Sequence, residues 1–472
     1  MPPYDLAMHA GGIGWAMAGL EGLLEALREI GWLREPSVPL LGCRRGSLGC
    51  WRMRGDYWLA GRFERGVVEQ LLDRVYGVRV PLSGRLVVFH RVPAPLGEYA
   101  AEVFADGLRL GVVEYSPGRG WLLHPSGASA SLAASLGARV VEVESSGSRR
   151  LKGKRVRVGV VGVKSGWVIV SSGGWVGPAR LLGDGTAKVK DLAPSGMRLL
   201  EPATVEEAVE ANSEVVGGLA AEAREFIRRV YTRYARGGRA YVALSGGADS
   251  SAVLSLAREA LGPERVAAVY VDTGMEFPET RRHVERLASM LDVDLEVVEA
   301  GVDPLEEVRK RGIMTRDNRW CTRLLKLEPL RRFYQRARAR LVLDGARMWE
   351  SSNRAKTPRV GENPLIPGVV RALPIRHWSR LAVQLYLAER SIPVLHLYQE
   401  GLTRIGCIAC PAMHLYELHV AYRLHPDWYQ RLAEAAAPGR GVEGLSWLLR
   451  GSWRREGSGE TWLSREGLEE RS

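Results

Sequence analysis

The feature that most constrains the fold is an alternation of apolar runs and helical stretches that begins near residue 240. The runs AYVA, VAAVYVD and DLEVVE predict strands, and the stretches DSSAVLSLAREALG and PETRRHVERLASML between them predict helices. Further on, RLVLDGARM predicts a strand and SRLAVQLYLAER a helix. Such alternation is typical of βαβ units. We therefore predict an α/β domain with a doubly wound parallel sheet over residues 205–440. Helical spacing predicts a first helix over residues 205–234, with Thr204 and Glu207 as its capping box.

The first strand leads into the sequence SGGADS, which predicts a phosphate-binding loop. Adjacent glycines allow a tight turn and a close backbone approach, and the start of the next helix presents N–H groups to an anion. The sequence lacks the Gly-Lys-Ser/Thr ending of a Walker loop. A plain strand-to-helix turn is the alternative reading. The candidate nucleotide-binding residues here are Ser245, Gly246, Gly247, Asp249 and Ser250.

Two acidic residues, Asp272 and Asp344, follow later predicted strands. Ligands of doubly wound sheets bind beyond the carboxyl ends of the strands. We therefore expect both carboxylates at the edge of the sheet that holds the phosphate loop.

The SGGADS sequence resembles the PP-loop of the ATP-pyrophosphatase superfamily, which has the adenine nucleotide α-hydrolase-like fold. Later motifs resemble, in the same order, those of the phosphoadenosine phosphosulfate (PAPS) reductase family. These motifs are VYVDTGMEFPET, RWCTRLLKLEPL, DGARMWESSNRA, LPIRHWS and LYQEGLTRIGCIACP. The resemblance covers roughly residues 238–412, more than a third of the chain.

The resemblance implies that Asp272 and Thr273 help to hold the nucleotide, with Mg²⁺ and either ATP or PAPS as ligand. It implies that Arg347, Glu350 and Arg354 line the anionic end of the substrate. Seven positions separate the two arginines, so they would share one face if the segment is helical; a solvated face is the alternative. Asp249, Cys321 and Arg347 are the candidate catalytic residues.

Three cysteines, Cys321, Cys407 and Cys410, raise the question of a metal site. Cluster-bearing reductases of this family use an adjacent Cys-Cys and a later Cys-x-x-Cys, but here Trp320 precedes Cys321. The resemblance thus implies a [4Fe-4S] cluster with three cysteine ligands and one open iron. Zinc held with His414 and plain structural or redox thiols are the alternatives. Cluster-free members instead use a cysteine in the C-terminal tail, and no cysteine follows Cys410.

The region 84–200 alternates short apolar runs with Gly and Ser turns, which predicts a small β-rich domain. Residues from about 135 to 200 resemble a PUA domain, a small RNA-binding barrel. A basic segment, SSGSRRLKGKRVRV, lies within it, and the chain carries a formal charge of +12. Both features favour an anionic partner such as tRNA or another RNA. A basic surface that only aids solubility is the alternative.

Residues 1–80 are predicted to contain a helix over 20–30 and a segment that resembles a zinc ribbon lacking half of its ligands. Its Cys43 and Cys50 are interpreted mainly as structural. Residues 441–472 read as a C-terminal helix and a loose tail. No stretch has the length and apolarity of a membrane helix, and no signal peptide is recognised, so we expect a cytoplasmic protein.

Together these features favour a PAPS-reductase-family enzyme that transfers sulfur to RNA at the expense of ATP, with a sulfur donor as partner. One alternative is a PAPS or adenosine phosphosulfate reductase that releases sulfite with a thiol reductant. Another is an RNA-binding protein whose nucleotide domain only senses its ligand.

Overall fold

The computed structural model describes residues 19–94, 98–143, 151–159 and 166–454. The chain divides into two compact units. Unit 1 comprises Met1–Leu219 and His377–Arg390, and unit 2 comprises Ala220–Arg376 and Ser391–Ser472. The predicted domain boundaries at 80, 200 and 440 stay predictions, and Arg149, Arg150 and the tail from residue 455 lie outside the described residues.

Unit 1 is rich in β-structure, as predicted for its second half. Its strands are β1 (Glu29–Trp32), β2 (Pro39–Leu41), β3 (Cys50–Arg52), β4 (Tyr57–Leu59), β5 (Val87–Arg91), β6 (Tyr99–Ala105), β7 (Leu108–Ser116), β8 (Gly120–Pro125), β9 (Val140–Glu142), β10 (Arg155–Arg157), β11 (Trp167–Ser172), β12 (Trp175–Leu181), β13 (Thr186–Val189) and β14 (Ala193–Pro194). Its helices are α1 (Gly19–Ala26), α2 (Arg62–Tyr76) and α3 (Gly127–Ser135).

Three sheets organise these strands. The first has the order β2-β1-β3, and the second is a meander in the order β4-β5-β6-β7-β8. The third runs β10-β13-β12-β11-β9, with β14 paired to β12. One face of the third sheet covers a cluster of buried aliphatic side chains that includes Val168, Ala187 and Val189.

The predicted helix over residues 20–30 is too long. The helix ends at Ala26, and Ile30 lies in β1, which pairs with β2 and β3. Ile30 has no exposed surface in that position. Pairing with two strands outweighs the helical spacing of the sequence, because it buries Ile30 and satisfies its backbone groups.

Helix α4 (Val205–Tyr234) has the predicted bounds, and the unit boundary lies within it. Thr204 and Glu207 form the predicted capping box: Thr204 N donates to Glu207 Oε2 at 2.7 Å, and Glu207 N donates to Thr204 Oγ1 at 3.2 Å. No helix among the residues that the structure describes has the length and apolarity to cross a membrane.

Unit 2 contains the predicted α/β fold. Its strands are β15 (Ala240–Ala243), β16 (Val266–Asp272), β17 (Asp294–Glu299), β18 (Leu341–Leu343), β19 (Val360–Asn363) and β20 (Ile366–Ala372). Its helices are α5 (Ala248–Leu261), α6 (Pro278–Met290), α7 (Pro304–Arg311), α8 (Glu328–Arg336), α9 (Ser352–Lys356), α11 (Leu415–Leu424), α12 (Pro426–Ala436) and α13 (Gly441–Arg450). The intervening helix α10 (Arg380–Glu389) belongs to unit 1.

The sheet of unit 2 has the order β17-β16-β15-β18-β20-β19. Its strands are parallel except β19, which is antiparallel to β20. The chain order reverses between β15 and β18, which makes that position the topological switch point of a doubly wound sheet. The predicted fold class is therefore confirmed, and the switch point is where a ligand site is expected.

Candidate functional site

The predicted phosphate loop connects β15 to α5 at the switch point. Gly246 has a left-handed φ of +75°, and a Cβ there would lie 2.8 Å from Thr280 Cγ2. Glycine is therefore needed both for the backbone conformation and for space. Gly247 is the N-cap of α5, so the first N–H groups of this 14-residue helix face the loop.

Hydroxyl groups fix the shape of this loop. Ser250 Oγ donates to Gly247 O at 2.8 Å and accepts from Ser245 N at 3.2 Å. Ser251 Oγ donates to the same carbonyl at 3.0 Å. Ser250 is buried, so its hydroxyl holds the loop closed rather than reaching outward.

A buried arginine joins the loop to the far side of the switch point. Arg347 Nε donates to Asp249 Oδ1 at 2.8 Å, and the Arg347 side chain is only 3% exposed. A Cβ at Gly345 would lie 2.8 Å from Asp249 C and Ser250 N. The segment after β18 therefore packs directly on the start of α5, and only glycine fits there.

Glu350 and Arg354 lie beside Arg347, but the three residues do not share one helix. A 3₁₀ turn spans Met348–Glu350, and α9 begins only after Ser351, whose extended backbone separates the two. The segment is not one continuous helix, so the condition under which Arg347 and Arg354 would share one helical face is not met. Glu350 Oε2 accepts from Arg347 N at 2.8 Å and lies 3.4 Å from Arg354 Nη1.

The carboxyl end of β16 supplies Asp272 and Thr273. Asp272 accepts from Gly274 N at 3.0 Å and pairs with Arg281 at 2.9 Å. Thr273 is buried, and both its N–H and its hydroxyl donate to Glu276, at 3.0 and 2.8 Å. Asp344, after β18, accepts from Ala346 N at 2.9 Å and lies 3.4 Å from Arg371. The predicted carboxylates thus stand at the carboxyl edge of the sheet.

The Cys-x-x-Cys segment lies over the phosphate loop. A Cβ at Gly247 would meet the Tyr398 hydroxyl at 3.4 Å and Ile405 Cβ at 4.0 Å. Ile408 N donates to Met275 O at 2.7 Å, and Cys407 forms an antiparallel bridge with Glu276. The segment is thereby fixed to the loop that follows β16.

The free thiols are those of Cys321, Cys407 and Cys410, and Cys410 is close enough to the other two to affect their ionisation. Burial, Glu276 and Cys410 raise the pKa of Cys407 far above its ordinary value. Burial raises the pKa of Cys321, with a further contribution from Cys410. Arg404 Nη2 donates to Cys410 Sγ at 3.4 Å.

Sequence reasoning missed three residues that connect these parts: Glu276, Tyr398 and Arg404. Glu276 contacts Thr273 and lies 3.9 Å from Cys407 Sγ, and burial raises its pKa. The Tyr398 hydroxyl accepts from Ala248 N at 3.1 Å, at the start of α5. Their positions inside recognised motifs were the only available signal. The Glu276–Cys407 and Tyr398–Ala248 contacts bridge distant parts of the chain, whereas Arg404 lies six residues from Cys410.

Cys321 precedes a π-helical turn, Thr322–Leu327. Pro329 has no N–H to donate to the Leu325 carbonyl, which interrupts the α-helical ladder at this point. Such π-turns occur often at functional sites. Lys326 lies in this turn and lowers the pKa of Cys407, against the larger effects that raise it.

A metal cluster on these cysteines was tested against the geometry. Thiolates are the ordinary ligands of iron–sulfur clusters, so the donor chemistry matches. Yet among the residues that the structure describes, no three His, Cys, Asp or Glu side chains are arranged to hold a metal ion. The predicted cluster is therefore not shown by the described side chains and stays a prediction, and no zinc site of His414 with the thiols is found among them. His414 instead stacks on Tyr416, with ring centroids 5.9 Å apart.

Cys43 and Cys50 in unit 1 form a disulfide, with their Cα atoms 5.7 Å apart. This pairing agrees with the structural interpretation of these two residues rather than with a zinc ribbon. A groove of about 630 Å³ between β17 and α8 contains none of the predicted site residues.

Comparison with known proteins agrees with this geometry. The sequence profile of the phosphoadenosine phosphosulfate reductase domain matches residues 239–413, which include the loop, the switch point and all three free cysteines. The fold and the site thus place this protein in the class of PP-loop proteins related to these reductases. Through this domain the chain belongs to the PAPS reductase family.

Three relatives illustrate the range of the similarity. The protein MJ0066 of Methanocaldococcus jannaschii is 29% identical over 90% of this chain and 95% of its own length. The adenosine 5'-phosphosulfate reductase of Streptomyces coelicolor is 32% identical over 34% of this chain and 67% of its own length. The phosphoadenosine 5'-phosphosulfate reductase of Aliivibrio salmonicida is 28% identical over 36% of this chain and 66% of its own length. The similarity to MJ0066 therefore extends well beyond the reductase domain, and the PUA resemblance stays a prediction.

Proposed function

We propose that this protein is an ATP-dependent sulfur transferase that acts on RNA. The observation that carries the proposal is the contact between the phosphate loop and the Cys-x-x-Cys segment, where Gly247 faces Ile405. Ile405 precedes Cys407 by two residues, so this contact supports a thiol near the place where a nucleotide phosphate would lie. The net charge of +12 supports a polyanionic second substrate.

The proposed reaction needs no oxidant or reductant. A carbonyl oxygen of an RNA base attacks the α-phosphorus of ATP, and pyrophosphate leaves. A sulfide nucleophile then attacks the base carbon that carries this oxygen. AMP leaves with the former carbonyl oxygen. The products are a thiocarbonyl base, AMP and pyrophosphate.

The chain's own residues bind and orient these reactants. The Ser245–Ser250 loop holds the phosphates through backbone N–H groups and the start of α5. Arg347 fixes Asp249, whose carboxylate would bind Mg²⁺ on the leaving pyrophosphate. Asp272 and Thr273 hold the nucleoside end from the neighbouring strand. Cys410, whose Sγ contacts Arg404, is the thiol best placed to act on the sulfide that is transferred.

An iron–sulfur cluster on Cys321, Cys407 and Cys410 stays part of the proposal as a source of sulfide. Its support is the donor chemistry and the mutual proximity of the thiols. Because the described side chains do not form a metal-binding group, no step is assigned to it. Iron and acid-labile sulfide analysis of anaerobically purified protein, with Cys321→Ser as comparison, tests it. Protein without iron contradicts it.

The test of the proposed reaction supplies anaerobic full-length protein with ATP, Mg²⁺, sulfide and total tRNA. Mass spectrometry of the digested tRNA should show a thiolated nucleoside, with AMP formed in equal amount. Asp249→Asn should lower the rate at least about 100-fold, in the range seen when one preorganised charge-stabilising group is lost. Asp292→Asn, a change at an exposed residue of the same unit, serves as the matched control and should leave the rate unchanged. ATP binding without any RNA product would contradict the proposal.

A second candidate function, reduction of PAPS or adenosine phosphosulfate, is favoured by the Arg404–Cys410 contact. A Cys410 thiolate would attack the sulfate sulfur, displace the nucleotide and form a cysteine thiosulfonate. A second thiolate, such as Cys321, would then attack the Cys410 sulfur, release sulfite and form a disulfide. Dithiothreitol would restore both thiols, so sulfite release from either nucleotide in its presence distinguishes this reaction from RNA thiolation.

A further inference from the structure

An exposed row of side chains crosses the third sheet of unit 1. In the antiparallel register, Arg155 on β10 lies opposite Lys188 on β13, and Lys188 lies opposite Arg180 on β12. Arg180 in turn lies opposite Trp167 on β11. Directly opposed residues of neighbouring strands project from the same face of a sheet. We name this set, Arg155, Lys188, Arg180 and Trp167, the cationic row.

The cationic row lies on the face opposite the buried aliphatic cluster. The alternate positions Val168 and Ala187 are buried in that cluster, while Arg155, Lys188 and Arg180 are exposed. Four strands at spacings of about 4.8 Å give the row a length of about 14 Å. A sheet face of this kind offers one straight line of positive charge to a ligand.

The cationic row is unfavourable for the protein alone. Like charges placed directly opposite each other on neighbouring strands destabilise a sheet, and this row contains two such pairs. Neither Arg155 nor Lys188 has a carboxylate within ion-pairing distance among the residues that the structure describes. Hydrogen bonds from Thr186, with a smaller contribution from Arg155, lower the pKa of the exposed Asp184. A bound polyanion would relieve this repulsion.

The last member of the row indicates which polyanion. The Arg180 guanidinium lies over the half-buried Trp167 ring, 5.3 Å from its centroid. A planar guanidinium and an indole are the groups on which proteins stack unpaired nucleobases. A row of cations that ends in this pair matches a sugar–phosphate strand with a splayed base at one end.

We propose that the cationic row is a binding surface for single-stranded RNA, with phosphates along Arg155, Lys188 and Arg180 and a base stacked at Trp167. This inference deepens the proposed function, since it names the surface that holds the RNA substrate. It uses no residue of the nucleotide and thiol site. Arg155 belongs to the basic segment SSGSRRLKGKRVRV, and the part of that segment outside the described residues, with Arg149 and Arg150, is not used.

The test measures fluorescence anisotropy of a labelled twelve-nucleotide oligouridylate with the full-length protein at low salt. Arg155→Glu with Lys188→Glu should weaken binding at least about 20-fold and lower the slope of log affinity against log salt by about 1.4. Arg34→Glu with Arg79→Glu makes the same change in net charge at two exposed residues of unit 1. This control should remain within about twofold of the unmodified protein. Equal losses in both variants, or no loss in the first, would overturn the proposal.

The stacking part has its own variants. Trp167→Ala should weaken oligouridylate binding about 5–10-fold, a typical loss for one stacked base. Trp167→Phe, which keeps an aromatic face, should restore most of it. A duplex RNA of equal length should be insensitive to both changes. Equal sensitivity of the duplex, or no effect of Trp167→Ala, would remove base stacking from the proposal.

These outcomes are independent of the reaction. Oligouridylate binding is measured without ATP. If the row binds the oligonucleotide as expected but the protein thiolates no RNA, only the proposed function is refuted. Conversely, thiolation that continues unchanged in the Arg155→Glu, Lys188→Glu variant refutes the row.

Discussion

Two places in this protein are suited to bind phosphate, and they are built in different ways. The loop of unit 2 uses backbone N–H groups, two glycines and a buried Asp249–Arg347 pair. The cationic row of unit 1 uses exposed side chains brought into line by strand register. The loop depends on a fixed backbone shape, whereas the row depends on net charge along a surface. The two should therefore respond to different perturbations.

The largest effect is expected from a side chain added at Gly345. Gly345→Val would place its Cβ against the backbone of Asp249 and Ser250 and move the phosphate loop. Overpacking of this kind costs about 2–3 kcal/mol, so ATP affinity should fall about 30–150-fold in isothermal calorimetry. Gly217→Ala is the matched control, since nothing lies within 4 Å of that position. Normal ATP binding by Gly345→Val would mean that the switch point is not the site.

Salt should distinguish ligand binding at the two places almost as strongly. Three phosphate contacts on a single strand give a slope of about −2 in log affinity against log salt. Oligouridylate affinity should therefore fall about 80-fold between 50 and 400 mM NaCl. Fluorescence anisotropy at several salt concentrations in this range measures the change. ATP affinity should change far less, because backbone donors in a partly buried loop are screened weakly. Parallel salt curves for the two ligands would contradict the comparison.

The buried ion pair should affect the stability of unit 2 and leave the row untouched. Asp249→Asn removes a carboxylate from an arginine that is 3% exposed. The loss of one partner of a fully buried pair costs about 3–5 kcal/mol, and the partial exposure of Asp249 reduces this to about 2 kcal/mol. Urea unfolding measures the change. Oligouridylate binding should stay within about twofold, and a large loss there would show that the two places are not independent.

The smallest effect is a pH dependence confined to unit 2. Burial, helped by Arg286, lowers the pKa of His283, so the folded state resists protonation while the unfolded state takes up a proton near pH 6.5. Stability should thus fall as the pH drops below about 6.5, by about 1 kcal/mol at pH 5.5. The free energy of unfolding, measured with urea between pH 8 and 5.5, should depend less on pH in His283→Gln. The same measurement on His396→Gln, a change at an exposed residue, should match the unmodified protein. Oligouridylate binding should not follow this trend, since the row contains no histidine.

The same contrast explains what the sequence could predict. The phosphate loop is a continuous segment between a strand and a helix, so its residues reveal it without knowledge of the rest of the chain. Strand alternation likewise predicted the parallel sheet, and Thr204 and Glu207 predicted the start of α4. Each of these features depends on residues that are neighbours in the sequence.

Contacts between distant segments were not predictable in the same way. Asp249 and Arg347 are 98 positions apart, and no spacing rule pairs them. Arg155 and Lys188 become neighbours only through the register of β10 and β13. Ile30 lies in a strand despite helical spacing, because two partner strands bury it. In each case the deciding energy comes from tertiary pairing, which local patterns do not contain.

The assignment of α10 to unit 1 has a consequence for biosynthesis. Gln384 bonds to both the N–H and the carbonyl of Leu59, and Arg380 N donates to the buried Asp56 carboxylate at 2.9 Å. A nascent chain therefore cannot complete its first unit until residue 390 has left the ribosome, after most of the second unit has been synthesised. A recombinant fragment that stops near residue 220 would lack these bonds. The amino-terminal unit of this protein is therefore begun first but completed only after residues 220–376 of the other unit have been synthesised.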